Sequence, residues 1–172
     1  MNLKKLKILG VILAFFIAFP LHFIYDKFPN FITSIFFPVN ESIWEHMKII
    51  FGSILLSGVI QKIIVTKKGL GYKNICISNI IAGLLSIPIF LAMFLPIYGI
   101  IGENLPITLI VMFITFIISQ LITMRIINTK DLKQENMAII YAIIIYIIFG
   151  LLTYFPPENN LFLDPLTLKY GI

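Results

Sequence analysis

Apolar runs recur five times along this 172-residue chain, each close to the ~20 residues with which a helix crosses a bilayer. Hydrophobic residues make up 59% of the chain and charged residues only 12%. Soluble domains have roughly 45–50% apolar and roughly 25% charged residues. Because lipid offers no hydrogen bonds, each run must be a helix that pairs its own backbone groups. The sequence therefore predicts an all-α, polytopic membrane helix bundle that forms one domain over residues 1–172.

The predicted spans end at charged residues, prolines and turn-forming residues. They cover residues 8–25, 43–65, 75–98, 107–127 and 137–155. Pro20 and Pro88 lie inside the first and third spans, where we expect kinks because proline cannot donate the helical hydrogen bond. Pro156 and Pro157 end the fifth span. The tail, residues 156–172, is too apolar for a free end, so we expect it to fold back onto the bundle.

Lysine and arginine gather on one side of the predicted bundle, and cytoplasmic loops are the ones that carry an excess of these residues. The richer side holds Lys4, Lys5, Lys7, Lys62, Lys67, Lys68, Lys73, Arg125, Lys130 and Lys133, the other only Lys27, Lys48 and Lys169. We therefore expect the N-terminus inside, and the C-terminus with its tail on the outer face. The net charge of +5 then indicates topology and contact with membrane lipids, not nucleic-acid binding.

The stretch at residues 38–48, PVNESIWEHMK, brings four ionisable groups to the start of the second span. Such groups are costly to place in a membrane and usually have partners. At about 100° per residue, Glu41, Glu45 and Lys48 share one arc of the helix, and His46 lies on the next arc. We expect these arcs to face the bundle. The opposite arc, expected to face lipid, carries Met47, Ile50, Phe51 and Ile54.

The first span offers partners for these groups. His22 and Asp26 are four residues apart, one above the other on a helix. Two imidazoles with carboxylates suit Zn²⁺ or a similar divalent ion, and a further carboxylate can serve as a general base. The predicted metal ligands are His22, His46, Asp26 and, from the tail, Asp164. The predicted catalytic groups are Glu45, Glu41 and Lys48, with either glutamate also open as a third ligand.

Simpler roles are open to the same residues. His22 can lie at the headgroup level, and Asp26 can belong to a turn. Glu45 can close a capping box with Ser42, which has the required spacing. Lys48 can pair with a neighbouring glutamate. These alternatives are each reasonable alone, but they do not explain why so many ionisable groups coincide on two facing helices.

Three parts of the chain together resemble a known family. They are His22-Phe23 with Asp26, the motif PVNESxWEHxK at residues 38–48, and an ending from Asp164-Pro165 to Tyr170-Gly171-Ile172. The chain is similar over essentially its whole length to an uncharacterised family, a domain of unknown function, of small bacterial multi-span membrane proteins. The resemblance implies a bundle of about five helices in a bacterial cell membrane. It implies no activity and no catalytic residue.

Three functions remain open on the sequence alone. The first is a membrane-embedded metal-dependent hydrolase that acts on a lipid or a peptide at the outer leaflet. The second is a small transporter or ligand-binding membrane subunit, and the third is a non-catalytic assembly or accessory protein. The middles of the third and fourth spans are nearly all apolar, which favours a one-sided site over a transport route. The chain lacks the HExxH and GxSxG motifs of familiar hydrolases.

Overall fold

The computed structural model describes residues 1–172 and is helical apart from its loops and tail. In chain order the helices are α1 (Leu3–His22), α2 (Ile24–Lys27), α3 (Phe31–Phe36), α4 (Ile43–Lys67), α5 (Ile75–Ile101), α6 (Leu105–Ile127) and α7 (Ala138–Tyr154). A 3₁₀ turn at Glu135–Met137 leads into α7. The predicted all-helical class is confirmed, and five helical segments are long and apolar enough to cross a membrane.

Helix α1 differs from the predicted first span at both ends. It begins at Leu3, where the side chain of Asn2 accepts a hydrogen bond from the Lys5 amide (2.9 Å) and caps the helix. It passes through Pro20 and ends at His22, where the Phe23 amide donates to the Pro20 carbonyl (3.2 Å). The chain then begins a new helix, α2. His22 and Asp26 therefore do not lie one above the other on a single helix, as the sequence predicted.

Helix α4 is the most buried of the five spans, and this corrects one expectation. The arc predicted to face lipid is instead buried, with Met47, Phe51 and Ile54 fully enclosed and Ile50 nearly so. The physical reason is the position of α4, which packs against both α1 and α5. Phe51 also contacts Phe149 of α7. In its first half α4 therefore buries its apolar and its polar arc alike, whereas Leu56, Val59 and Ile63 in its second half are exposed.

The tail packs against the loop that precedes α4 and against its first turn. The Leu161 carbonyl accepts a hydrogen bond from the Trp44 amide (2.8 Å), and Phe162 stacks on the Trp44 ring at 4.9 Å. The side chain of Asn40 donates to the Gly171 carbonyl (2.9 Å). An isolated antiparallel bridge between Leu163 and Tyr170 closes the tail on itself. The last residues are thereby held over the same end of the bundle as the 38–48 stretch.

Gly171 tests whether this packing holds the tail. Its φ is +64°, and an added Cβ would collide with the backbone carbonyl of Thr153. A Gly171→Ala substitution is therefore expected to release the tail, which limited proteolysis would report as faster cleavage after residue 156. Gly99→Ala is the matched control, since nothing lies within 4 Å of a Cβ there. Equal cleavage of both variants and the wild type would contradict the proposed packing.

At the opposite end of the bundle, buried polar side chains link α1, α4 and α6. The Lys7 ammonium donates to the Gln61 side-chain oxygen (2.7 Å), and the Gln61 amide donates to Gln120 (3.2 Å). All three side chains are almost fully buried. Between the two ends, the buried hydroxyls of Ser57, Ser86, Thr115 and Ser119 donate to carbonyls of their own helices, so these hydrogen bonds do not connect the two ends of the bundle.

Glu135 caps α5 from outside that helix. Its carboxylate accepts hydrogen bonds from the amides of Ile75, Cys76 and Ile77 at 2.7, 2.7 and 3.1 Å and pairs with Lys62 at 3.3 Å. We expect Glu135→Ala to lower the free energy of unfolding by about 1–2 kcal/mol, the usual cost of a lost cap. Unfolding of the purified protein in detergent would measure it, with the exposed Glu158→Ala as control. An unchanged free energy in Glu135→Ala would count against the cap.

Candidate functional site

Three side chains converge at one end of the bundle, each brought there by a different local feature. His22 is the last residue of α1, and His46 lies in the first turn of α4. Glu41 precedes α4 in a short loop. Ser42 caps that helix by accepting the Glu45 amide (3.3 Å), and the Asn40 side chain accepts the Ser42 amide (3.0 Å), so the loop has one well-defined course. We call His22, Glu41 and His46 the His–Glu–His cluster.

The polar atoms of the cluster form a nearly regular triangle. The two Nε2 atoms of His22 and His46 are 3.2 Å apart, and Oε2 of Glu41 lies 3.6 Å from the first and 3.4 Å from the second. A tetrahedral Zn²⁺ with bonds of about 2.0–2.1 Å holds its ligand atoms about 3.3–3.4 Å apart. The side chains therefore have the spacing that three ligands of one small divalent ion require, before any ion is placed among them.

The hydrogen bond on the far side of His46 fixes its tautomer. Nδ1 lies 2.8 Å from the Ser42 carbonyl, which can only accept, so Nδ1 carries the proton. Neutral His46 therefore presents a lone pair at Nε2, toward His22 and Glu41. A ligand imidazole that donates its other N–H to a backbone carbonyl is the common arrangement in metal sites. Nδ1 of His22, by contrast, is buried and has no protein partner.

The electrostatics of the cluster centre on Glu41. The close approach of the His22 imidazole, and then of the His46 imidazole, holds the pKa of the Glu41 carboxyl well below its usual range. Glu41 therefore stays a carboxylate at any ordinary pH, which is the form that binds a cation. The side chains remain reachable, with 28% of each histidine side chain and 38% of the Glu41 side chain exposed. The cluster thus combines a fixed negative charge with access from outside.

The cluster lines a cavity of about 400 Å³ between α1, α4, α5 and α6. Most of its lining is hydrophobic, and it includes the stacked rings of Phe90 and Phe94. Glu103, Asn160 and Thr108 supply further polar groups. This volume lies within the ~300–1,000 Å³ range of small-molecule sites, which are also mostly apolar with a few placed polar groups.

Glu45 and Lys48, two predicted catalytic residues, form a separate buried network. Their ion pair is 2.6 Å long, and Thr153 of α7 bonds both the ammonium (2.6 Å) and the carboxylate (2.7 Å). Glu45 also accepts the Val39 amide (3.0 Å), so it does not close the predicted capping box. Neither side chain lines the cavity. Every polar atom has a partner, and the network braces the loop that carries Glu41.

The structure does not bring Asp26 or Asp164, both predicted metal ligands, into the cluster. Asp26 lies in α2 beyond the break at Phe23 and is exposed. Asp164 is buried, but its two oxygens accept from the Leu166 amide (3.1 Å) and the Thr167 hydroxyl (2.6 Å) within the tail. A helix break separates Asp26 from the cluster, and the Asp164 oxygens are occupied by hydrogen bonds within their own turn. Glu41, which the sequence analysis left open as a third ligand, lies beside the two histidines instead.

Sequence reasoning missed three residues around the site. Glu103 and Asn160 line the cavity from the α5–α6 loop and from the tail, and neither stood in a recognisable pattern. Thr153 completes the Glu45–Lys48 network. It had a visible signal, since it is the one hydroxyl side chain other than tyrosine in an otherwise apolar α7. A lone polar residue on a nearly uniform span generally has a partner inside the bundle.

Comparison with family profiles assigns the chain to one family. A profile described as a family of unknown function, DUF6512, matches residues 1–172. The chain belongs to DUF6512. Membership confirms the resemblance to an uncharacterised family, while the motifs and the bacterial origin stay predictions. The family is of unknown function, so membership carries no activity to the chain. No curated protein and no solved structure matches the chain. The five apolar helices have the length and composition of a multi-pass membrane protein.

Proposed function

We propose that this protein is a membrane-embedded, metal-dependent hydrolase whose divalent ion, such as Zn²⁺, is held by His22, Glu41 and His46. The single observation that carries the proposal is the triangle of ligand atoms, with edges of 3.2, 3.4 and 3.6 Å, on the wall of a cavity. Three protein ligands with one position open to substrate are typical of catalytic zinc sites, whereas structural sites use four.

The side chains in and around the cluster have different tasks in this proposal. A divalent ion held there would act as a Lewis acid and activate water at neutral pH. His46 is oriented by its bond to the Ser42 carbonyl, and Glu41 supplies the negative charge. The Glu45–Lys48 network keeps the Glu41 loop in place through the Val39 amide. Glu45 and Lys48 therefore act as positioning residues in this proposal.

The predicted orientation places the site at the outer leaflet of a bacterial cytoplasmic membrane. The rival function of transport finds less support, because the cavity becomes apolar away from the cluster and the Lys7–Gln61–Gln120 group is separate from it. A purely structural role for the cluster also finds less support. A cluster that only stabilises the fold gains from burial, whereas these three side chains stay partly exposed.

Chelation and reconstitution test the proposal directly. Purified protein in lipid nanodiscs would be incubated with two probes, p-nitrophenyl butyrate and a quenched fluorescent hydrophobic peptide. We expect hydrolysis of at least one probe to stop on treatment with 1,10-phenanthroline and to return with Zn²⁺. The exposed Glu158→Gln variant is the control for nonspecific effects of substitution. Hydrolysis that is indifferent to chelation and reconstitution, or absent with Zn²⁺ bound, would contradict the proposal.

A further inference from the structure

We infer that the cavity beside the His–Glu–His cluster binds one acyl chain of a lipid, and that the bond attacked lies where this chain meets the polar headgroup. The inference rests on the proposed function for its reaction and deepens it by naming the substrate class. The binding itself needs only the cavity. A peptide, the other substrate class suggested by the sequence, becomes an outcome of the test.

The first argument is the order of chemistry along the cavity. Its polar lining residues come from the ends of helices and from loops, as His22, Glu41 and Glu103 show. Its lining deeper in the bundle is apolar and includes Ile50 of α4 and Met112 of α6. Each of these two lies seven residues beyond the start of its helix, roughly 10 Å at 1.5 Å per residue. A polar mouth above an apolar shaft is complementary to an amphiphile.

The second argument is the way into the cavity. Three large apolar side chains that line it are also exposed, namely Phe19 (41%) and Phe23 (52%) from the α1 end and Leu105 (66%) from the start of α6. In a bilayer, side chains exposed at this level meet lipid. The cavity is therefore flanked by a surface over which an acyl chain can pass sideways from the membrane, without leaving the apolar phase.

The third argument concerns peptide recognition, which uses different groups. One common way to bind an extended peptide is through main-chain hydrogen bonds to an exposed strand edge. The cavity walls here are helices, and helical backbone groups are already paired within their own segments. The Phe90 and Phe94 rings, stacked at 5.1 Å, present only hydrocarbon. Such a wall packs well against an acyl chain but offers no hydrogen-bonding groups to a peptide backbone.

The reaction balances with water alone. For an acyl ester or amide, the oxygen of water forms a bond to the acyl carbonyl carbon. The bond from that carbon to the headgroup oxygen or nitrogen then breaks, and the leaving atom takes a proton from the attacking water. The products are a fatty acid and a headgroup alcohol or amine. No oxidant, reductant or further reactant is required.

Photolabelling tests the binding without requiring catalysis. Full-length protein in phosphatidylcholine nanodiscs, with chelator present, would be exposed to palmitic acid carrying a diazirine at its terminal carbon. Labelled peptides would then be mapped by mass spectrometry. We expect labels on the deep lining around Phe90 and Met112, reduced at least fivefold by excess unlabelled palmitate. Labels spread over exposed helix faces and insensitive to unlabelled palmitate would overturn the inference.

Two neighbouring positions on α6 supply a matched pair of variants. Leu109 is half-buried and lines the cavity, whereas Ile110 is exposed (59%) and does not. Leu109→Trp is expected to remove at least four-fifths of the deep labelling, and Ile110→Trp to leave it unchanged. Equal labelling in the two folded variants would overturn the inference. If Leu109→Trp does not fold, competition by palmitate on the wild type decides alone.

The outcomes separate this inference from the proposed function. Deep, competed labelling in a protein that shows no metal-dependent hydrolysis would support the acyl-chain site and contradict the hydrolase. Chelator-sensitive cleavage of the peptide probe, without deep labelling by palmitate, would overturn the acyl-chain site and leave the hydrolase standing.

Discussion

Replacing Lys48 by methionine is expected to destabilise the folded protein by about 3–5 kcal/mol, the cost of removing one partner of a buried ion pair. The Lys48 side chain is fully buried. Its ammonium contacts Glu45 and Thr153 at 2.6 Å and the carbonyls of Ser34 and Phe37 at 2.7 and 3.3 Å. Methionine has a similar length but no charge. The Glu45 carboxylate would then remain in the bundle without its counter-ion.

Equilibrium unfolding of the detergent-solubilised protein by SDS measures this effect. Lys27→Met, at an exposed lysine, is the control and is expected to change little. The double variant Glu45→Gln/Lys48→Met removes both charges and is expected to lose less free energy than the two single variants added together. A Lys48→Met protein as stable as the wild type, or strictly additive losses, would contradict a coupled buried pair.

Glu41→Gln is expected to lower the affinity for Zn²⁺ by at least about 100-fold, because removing a group that merely orients a ligand already costs about 10–100-fold. The substitution keeps the size of the side chain and removes the charge that lies 3.4 Å from His46 and 3.6 Å from His22. The side chain is partly exposed, so the fold is expected to persist. Competition against a chromophoric chelator measures the affinity.

The matched control for that substitution is Glu158→Gln, an exposed glutamate of the tail at the same end of the chain's membrane-spanning region. It removes an identical charge outside the cluster and is expected to leave the affinity unchanged. If both variants bind Zn²⁺ as the wild type does, the carboxylate of Glu41 is not a ligand. If both weaken binding equally, only the overall charge of this face matters.

Much of the fold was predictable because a lipid bilayer restricts both the composition and the backbone structure of any segment that crosses it. A run of about 20 apolar residues has to be a helix in a bilayer, so the five spans follow from the sequence with small shifts of their ends. The proximity of His22 and His46 was also accessible, since the predicted topology places the end of the first span and the start of the second on the same side, although residues 23–42, with α2 and α3, lie between them. The predictions about the extent of each helix, and about which ends of neighbouring helices meet, were therefore largely correct.

The roles of individual residues around the site were less accessible, because they depend on contacts between distant parts of the chain. Periodicity shows that Glu45 and Lys48 share an arc, but not that Thr153 of α7 completes their network. It predicts a lipid-facing arc on α4 because it cannot show that α4 lies among other helices. Asp26 was misplaced for a local reason, the helix break at Phe23, and Asp164 because its own turn uses both oxygens.

The most direct test of the central claim is the metal content of the purified protein, loaded with Zn²⁺, freed of excess ion and analysed by inductively coupled plasma mass spectrometry. The wild type is compared with the double variant His22→Ala/His46→Ala, which keeps the Glu45–Lys48 network. We predict one Zn²⁺ per wild-type chain and none in the variant. A folded wild type without bound metal, or a variant that retains as much as the wild type, would contradict the assignment of the His–Glu–His cluster as a metal site.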